Sequence, residues 1–393
     1  MTPPARAQAA IDLLDAVILA ARGQGASADR LAADWFRTRR FVGSKDRRAI
    51  RELVWHAIRA CGDIPGNGRM AMLRVAADDP AVAVLFDGSH YGPAPIAPDE
   101  VPAQAGIAPD WLMTELMHSG HDEAELAALL TRAPLDIRAN RLRITCDDLI
   151  AQLPVAAEPG PSPDALRLPP GTQAEAWPAF AQGLFEVQDA GSQIACGIIA
   201  ARAGETVVDL CAGAGGKTLA LAAAMNNGGR LIACDIDRTR LSRLPARAAR
   251  AGATVETRLL DGGREWQALR DVMGQVDAVL VDAPCTGTGT WRRNPEARWR
   301  LSPAVIARYV RMQAQVLDLA AGLVRPGGRI TFITCSLLDA EGPDAIAAFV
   351  ARHHGWRAVP IAAPIGRRRG AGWRLTPGHD DTDGFFFANL VAP

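Results

Sequence analysis

The stretch Thr206-Val207-Val208-Asp209-Leu210-Cys211-Ala212-Gly213-Ala214-Gly215-Gly216-Lys217-Thr218 decides how this chain folds. A short β-branched apolar run passes directly into a glycine-rich turn, and a helical apolar pattern follows over 217–225. The same strand–loop–helix unit recurs outward from it. Leu231–Asp235, Val276–Asp282 and Arg329–Thr334 read as buried strands, and Gly384–Val391 as a last apolar strand. Helical spacing fills 239–250, 303–322 and 342–351. Strands alternating with helices predict a parallel sheet covered on both faces, a doubly wound α/β domain. No internal repeat is present.

The loop itself narrows what can bind there. A phosphate loop of the G-x-x-x-x-G-K-T type needs Gly at 211, where Cys stands. A G-x-G-x-x-G dinucleotide fingerprint from Gly213 needs Gly or Ala at 218, where Thr stands, which argues against a nicotinamide enzyme. A nucleoside cofactor remains, lying against Cys211, Ala212, Gly213, Ala214, Gly215, Gly216 and Lys217. Asp235 ends the next strand, where it can accept from ribose hydroxyls, and Asp261 follows the short strand at 259–260, on the side expected for a base amine. Only Lys45 and Lys217 are lysines among 43 basic residues, so a lysine in this loop is not there by composition.

Two cysteines stand just past adjacent strand ends, in Asp282-Ala283-Pro284-Cys285-Thr286-Gly287-Thr288-Gly289 and Thr334-Cys335-Ser336. Ligands of open α/β sheets bind outside the carboxyl ends of the strands, the same edge as the glycine loop. Two thiols there suit cytosine carbon 5, which is a poor nucleophile. A thiolate adding at carbon 6 makes carbon 5 enamine-like, and a second group then removes the carbon 5 proton. Asp282 is positioned to serve N3, and Lys217 to lower a thiol pKa or contact the base. The residues alone do not rank the two thiols.

The chain resembles the RsmB/NOP-type (Sun) RNA cytosine-5 methyltransferases. The likeness rests on Leu210–Thr218, on Asp282–Gly289 and on Thr334-Cys335-Ser336, with support from Phe185–Gln193 and Thr382–Phe386. It spans roughly 135–393. It implies a Rossmann-like class I methyltransferase domain using S-adenosylmethionine. It also implies Cys335 as nucleophile and Cys285 as the residue that assists release, with Asp235, Asp261 and Asp282 around cofactor and base. The family loop usually carries Pro where this chain has Ala214. The first 130 residues resemble, more faintly, the NusB-like helical RNA-binding domain of bacterial members, which implies small-subunit ribosomal RNA as substrate. A transfer RNA substrate, a non-enzymatic assembly factor with a methyltransferase shell, and a methyltransferase of proteins or small molecules are the alternatives.

The remaining sequence bounds these expectations. The chain divides into a helical part (1–133), a small α/β connector (134–190) and the sheet domain (191–393). Helical spacing marks 5–22, 28–37, 45–60 and 110–132, while Pro and Gly crowd 154–171 as a flexible loop. With 49% hydrophobic and 22% charged residues the chain reads as globular, and no apolar run is long enough for a bilayer. The N-terminus lacks the apolar core of a secretory signal, so a cytoplasmic monomer is expected. Seven cysteines without a Cys-x-x-Cys pair predict no metal site, and Cys61, Cys146, Cys196 and Cys234 are expected as small core residues. Net charge is zero, but arginines cluster in 1–60, 292–311 and 352–374, as a phosphate-binding surface requires. Trp291, Trp299 and the arginines around Asn294-Pro295 are candidates to stack on RNA, with core packing the equal alternative for Trp299.

Overall fold

The computed structural model describes residues 1–23 and 25–393. They form two compact units, one of Met1–Arg132 with Thr290–Pro303, the other of Ala133–Gly289 with Ala304–Pro393.

The first unit is helical. α1 (Pro3–Arg22) starts where the Thr2 hydroxyl accepts from Ala5 N–H and two prolines occupy its first turn, whose N–H groups need no helical partner. Its stripe of Ile11, Leu14, Val17 and Ile18 is buried. That stripe joins one core with Phe36 of α2 (Ala28–Thr38), Ile50, Val54 and Ile58 of α3 (Ser44–Ala60), and Met72 and Val75 of α4 (Gly68–Asp78). The helix expected over 110–132 breaks into Asp110–His118 and Glu123–Ala127. Gly120 turns left-handed between them, and the Asp122 carboxylate caps the second piece through Glu125 N–H at 2.8 Å.

The segment Thr290–Pro303 corrects an expectation. Trp291, Arg292, Arg298 and Trp299 are buried within this helical unit, so they are not a surface for stacking RNA. Arg298 Nη2 donates to the carbonyls of Ile58 and Cys61 at 2.6 and 2.7 Å, satisfying the open C-terminal end of α3. Arg300 donates to the carbonyls of Gly25 and Ala26, both at 2.8 Å. Glu296 accepts from Ala28 N–H at 2.9 Å, capping α2.

The second unit holds two sheets. A small antiparallel one has the order β2-β3-β1-β4, from β1 (Leu135–Ala139), β2 (Glu158–Pro159), β3 (Ala165–Leu168) and β4 (Phe185–Val187). β2 and β3 thus structure the segment expected as a loop. The larger sheet takes β5 (Thr206–Asp209), β6 (Arg230–Asp235), β7 (Glu256–Leu259), β8 (Val276–Asp282), β9 (Val324–Thr334), β10 (Arg357–Val359), β11 (Arg367–Arg369), β12 (Gly372–Leu375) and β13 (Phe385–Val391). Its order is β11-β12-β13-β9-β8-β5-β6-β7, with β10 on β13. β5 to β9 run parallel and β13 runs antiparallel to β9. Val208, Ile232, Val279, Val281 and Phe332 fill the core on one face, and Val207, Leu231, Leu280 and Ile333 on the other. The helix expected over 239–250 splits into Arg238–Leu241 and Leu244–Ala251, because Pro245 is tolerated only in a first turn. Among the described residues, no helix is long and apolar enough to cross a membrane and no His/Cys/Asp/Glu group could hold a metal.

Candidate active site

The parallel strands bring the C-terminal ends of β5, β6, β8 and β9 to one edge, and with them the glycine loop and both cysteines. Gly213 and Gly215 both have left-handed backbones, φ +55° and +89°. The left-handed backbone of Gly215 favours glycine there, and an added Cβ, 2.1 Å from Leu244 Cδ1, would also force that side-chain tip to shift. The turn is tied to its neighbour: Ala212 N–H donates to Cys234 O at 2.8 Å and Gly213 N–H to Asp235 Oδ2 at 2.7 Å. Asp235 Oδ1 accepts from Asp237 N–H at 2.7 Å, so this carboxylate already shapes the cradle. Arg247 donates to Ala214 O at 2.8 Å. Asp261 lies exposed just past β7.

Below the loop, Asp209 is fully buried. Thr218 Oγ1 donates to its Oδ2 at 2.6 Å, and its Oδ1 has no partner within hydrogen-bond geometry among the described residues; burial pushes this carboxyl up to about 7, against the bond from Thr218. Cys211 is likewise a thiol, raised first by burial and then by Asp209 and Asp282. Lys217 is committed to Asp282, with Nζ 2.6 Å from Oδ2. Burial works against its ammonium, but Asp282 and the nearby thiols outweigh that and raise it.

Cys285 and Cys335 are half-buried, and their sulfurs lie 3.4 Å apart. The hydrogen bond to Cys335, then burial, holds the Cys285 thiol well above its ordinary range. Two backbone bonds lock the loops in place: Gly289 N–H to Cys335 O at 3.0 Å and Gly384 N–H to Gly289 O at 2.8 Å. A Cβ on Gly289 would meet Gly384 O at 2.2 Å, which explains the glycines of both segments.

Sequence reasoning missed the polar group that supports these loops. Thr286, Thr288, Ser336, Gln313 and Glu341 form a buried network. Glu341 accepts from Thr286 N–H and Gln313 Nε2, each at 3.0 Å, and Thr288 Oγ1 lies 3.2 Å from Ser336 Oγ. Hydroxyls directly after each cysteine were the available signal. The other cysteines are ordinary: Cys61, Cys196 and Cys234 are buried and Cys146 is half-buried. The arginine-rich 352–374 segment is partly structural, since Arg369 and the buried Arg374 both pair with Asp339 and Arg352 pairs with Asp318 at 3.1 Å.

A Rossmann-like sheet with a glycine loop after β5 and a reversed final strand, β13, defines a class I methyltransferase domain. Residues 197–391 match the family described as 16S rRNA methyltransferase RsmB/F, and the methyltransferase region of this chain belongs to it. The chain is 36% identical over 296 residues to the probable ribosomal RNA small subunit methyltransferase B of Synechocystis sp., covering 72% of this chain and 66% of the relative. It therefore spans just under two thirds of that relative's length. Among solved structures it resembles one titled as the crystal structure of PH0851, with TM-score 0.78, 25% identity and 99% of each chain covered. A methyltransferase homolog protein from Pyrococcus horikoshii shares the fold, with TM-score 0.61 and 24% identity over 72% of this chain and 99% of that one.

S-adenosylmethionine is the cofactor. The site fits it: no atom lies within 4 Å of where a Cβ would stand on Gly216, at the first turn of the helix Gly216–Ala224, so a ligand can approach the main chain there.

Proposed function

We propose that this chain methylates carbon 5 of a cytosine in RNA, with small-subunit ribosomal RNA as the substrate class. The observation that carries the chemistry is the 3.4 Å approach of Cys285 and Cys335 at two neighbouring strand ends. The family match and the relative named for the small ribosomal subunit support the substrate.

In this reading the loop 211–217 and the acids Asp235, Asp261 and Asp282 hold the cofactor, which supplies an electrophilic methyl group. The target cytosine is flipped out so that its ring reaches the cysteines. Cys335 Sγ bonds to carbon 6 as its S–H proton is lost, and N3 takes up a proton through Asp282, which Lys217 holds in place. Carbon 5 then takes the methyl group. Cys285 helps remove the carbon 5 proton, the C5–C6 double bond re-forms, and the bond from carbon 6 to Cys335 breaks. The N-terminal helical unit is assigned to gripping RNA. Arg39 stacks 4.0 Å over Trp35 and Phe41 is 78% exposed, an arrangement suited to bases and phosphates. We divide the chain functionally into that helical part (1–133), the connector (134–190) and the catalytic domain (191–393), acting as a monomer in the cytoplasm.

Two variants test this, using small-subunit RNA lacking its modifications and radiolabelled cofactor. Cys335→Ala should lose turnover by about a thousandfold or more. Cys285→Ala should accumulate a protein–RNA adduct that survives denaturation. Undiminished methylation in both variants would end the two-thiol reading.

A further inference from the structure

Glu341 is fully buried in the short 3-10 turn Asp339–Glu341, and it touches the surroundings of both cysteines. Its Oε1 accepts from Thr286 N–H and from Gln313 Nε2, each at 3.0 Å. Its Oε2 accepts from Ser336 Oγ at 2.6 Å and from Thr286 Oγ1. Its own main-chain carbonyl accepts from Thr334 Oγ1 at 3.0 Å. The amide nitrogen of Gln313 donates a further bond to Pro284 O at 3.0 Å. Thr334 and Ser336 flank Cys335 in the chain, and Pro284 and Thr286 flank Cys285. The Glu341 carboxylate therefore holds Thr286 and Ser336 directly and Pro284 through Gln313, while the main-chain carbonyl of the same residue holds Thr334.

Burial of a carboxylate is costly even when it is hydrogen-bonded, and apolar replacement of such buried charged groups often leaves stability unchanged or higher. Burial raises the Glu341 carboxyl, against the pull of its four donors, which marks that cost. Packing alone gives no reason to keep the charge. Holding two loops in a fixed register does, because a single acceptor pair with several directional bonds sets distances that apolar contacts leave loose.

We infer that Glu341, relayed through Gln313, is a positioning residue that fixes the approach of Cys285 to Cys335. This rests on the two-thiol reading above, so its test has a readout independent of methylation. Diamide oxidises two adjacent thiols to a disulfide: two electrons and two protons pass from the thiols to the diazene nitrogens. The rate of the Cys285–Cys335 cross-link, followed by peptide mass spectrometry on the full chain, reports how often the sulfurs meet.

Wild type should cross-link fast. Glu341→Leu should slow the reaction about tenfold or more and lower kcat by a similar factor, with KM for S-adenosylmethionine within about twofold. Glu341→Gln keeps one acceptor oxygen and should recover part of both losses. Gln313→Met removes the bonds to Pro284 O and to Glu341 Oε1 but leaves Glu341 its bonds to Thr286 and Ser336, and should slow cross-linking about threefold, which provides a readout if Glu341→Leu fails to fold. Wild-type cross-linking rates in the folded variants, or a wild-type pair that does not cross-link, would overturn the inference. A normal cross-linking series in a chain that methylates no cytosine would instead sink the functional reading and leave the positioning role standing.

Discussion

The two loop systems at the carboxyl edge of the sheet are built by opposite means. The glycine loop after β5 is shaped by its own backbone: left-handed Gly213 and Gly215, plus ties to the main chain and carboxylate at the end of β6. The cysteine loops after β8 and β9 are shaped from outside, by buried hydroxyls, Gln313 and Glu341. A cofactor needs main chain that it can approach, so local geometry suffices there. A pair of reacting sulfurs needs a distance set between two segments 50 residues apart, which no local pattern can specify.

One glycine in each system puts the contrast to the test. The largest effect is expected from Gly289→Ala, because the added carbon meets Gly384 O at 2.2 Å and both sides are backbone. We expect a stability loss of about 3 kcal/mol by urea denaturation, and slowed Cys285–Cys335 cross-linking. Calorimetric affinity for S-adenosylmethionine should stay within about threefold. Gly215→Ala should do the converse. Its φ of +89° is strained for any side chain, and the new carbon meets Leu244 Cδ1, the movable tip of a side chain. A cost of about 2 to 3 kcal/mol should fall on cofactor affinity, with the cross-linking rate unchanged. If each variant damages both readouts equally, the two systems are one mechanical unit and the contrast fails.

This division also explains what the sequence disclosed. The glycine loop, the strand-end acids and both cysteines were legible because each is a short run with its own chemical logic. That the strands form a parallel sheet followed from their alternation with helices. What escaped depends on partners distant in the chain. Glu341 and Gln313 look like ordinary residues of a helix start and a helix interior. Arg298 and Trp299 look like an RNA surface until α3 supplies the carbonyls that Arg298 caps. Breaks at Gly120 and Pro245 were local and readable, yet the apolar periodicity running across them masked the turn.

Asp209 offers a test of the cradle from beneath, with an intermediate effect. Its folded pKa of about 7 stands above the ordinary 3.8. Below pH 4 the group is protonated in both states and costs nothing. As pH rises toward 7, the unfolded chain releases a proton that the folded chain keeps, so stability falls; above 7 the folded group ionises too and the loss levels off. Asp209→Asn, which can still accept from Thr218 Oγ1, should remove that slope and gain about 2 kcal/mol relative to wild type between pH 5 and pH 8. Urea midpoints across that range would measure it. An unchanged slope would mean that the buried carboxyl finds compensation that its unpartnered oxygen conceals.

The smallest effect is expected at Ala214, which lies between two glycines whose left-handed geometry already makes the turn. Its carbonyl is held by Arg247, and its N–H makes no hydrogen bond among the described residues. Proline there would remove no bond and would only narrow the unfolded ensemble, a gain of about half a kcal/mol. Ala214→Pro should therefore shift S-adenosylmethionine affinity by less than about threefold, with a slightly higher melting temperature. If the substitution instead tightens cofactor binding by an order of magnitude, the loop is not held by its glycines and neighbours, and the account of the first loop system has to be rebuilt around position 214.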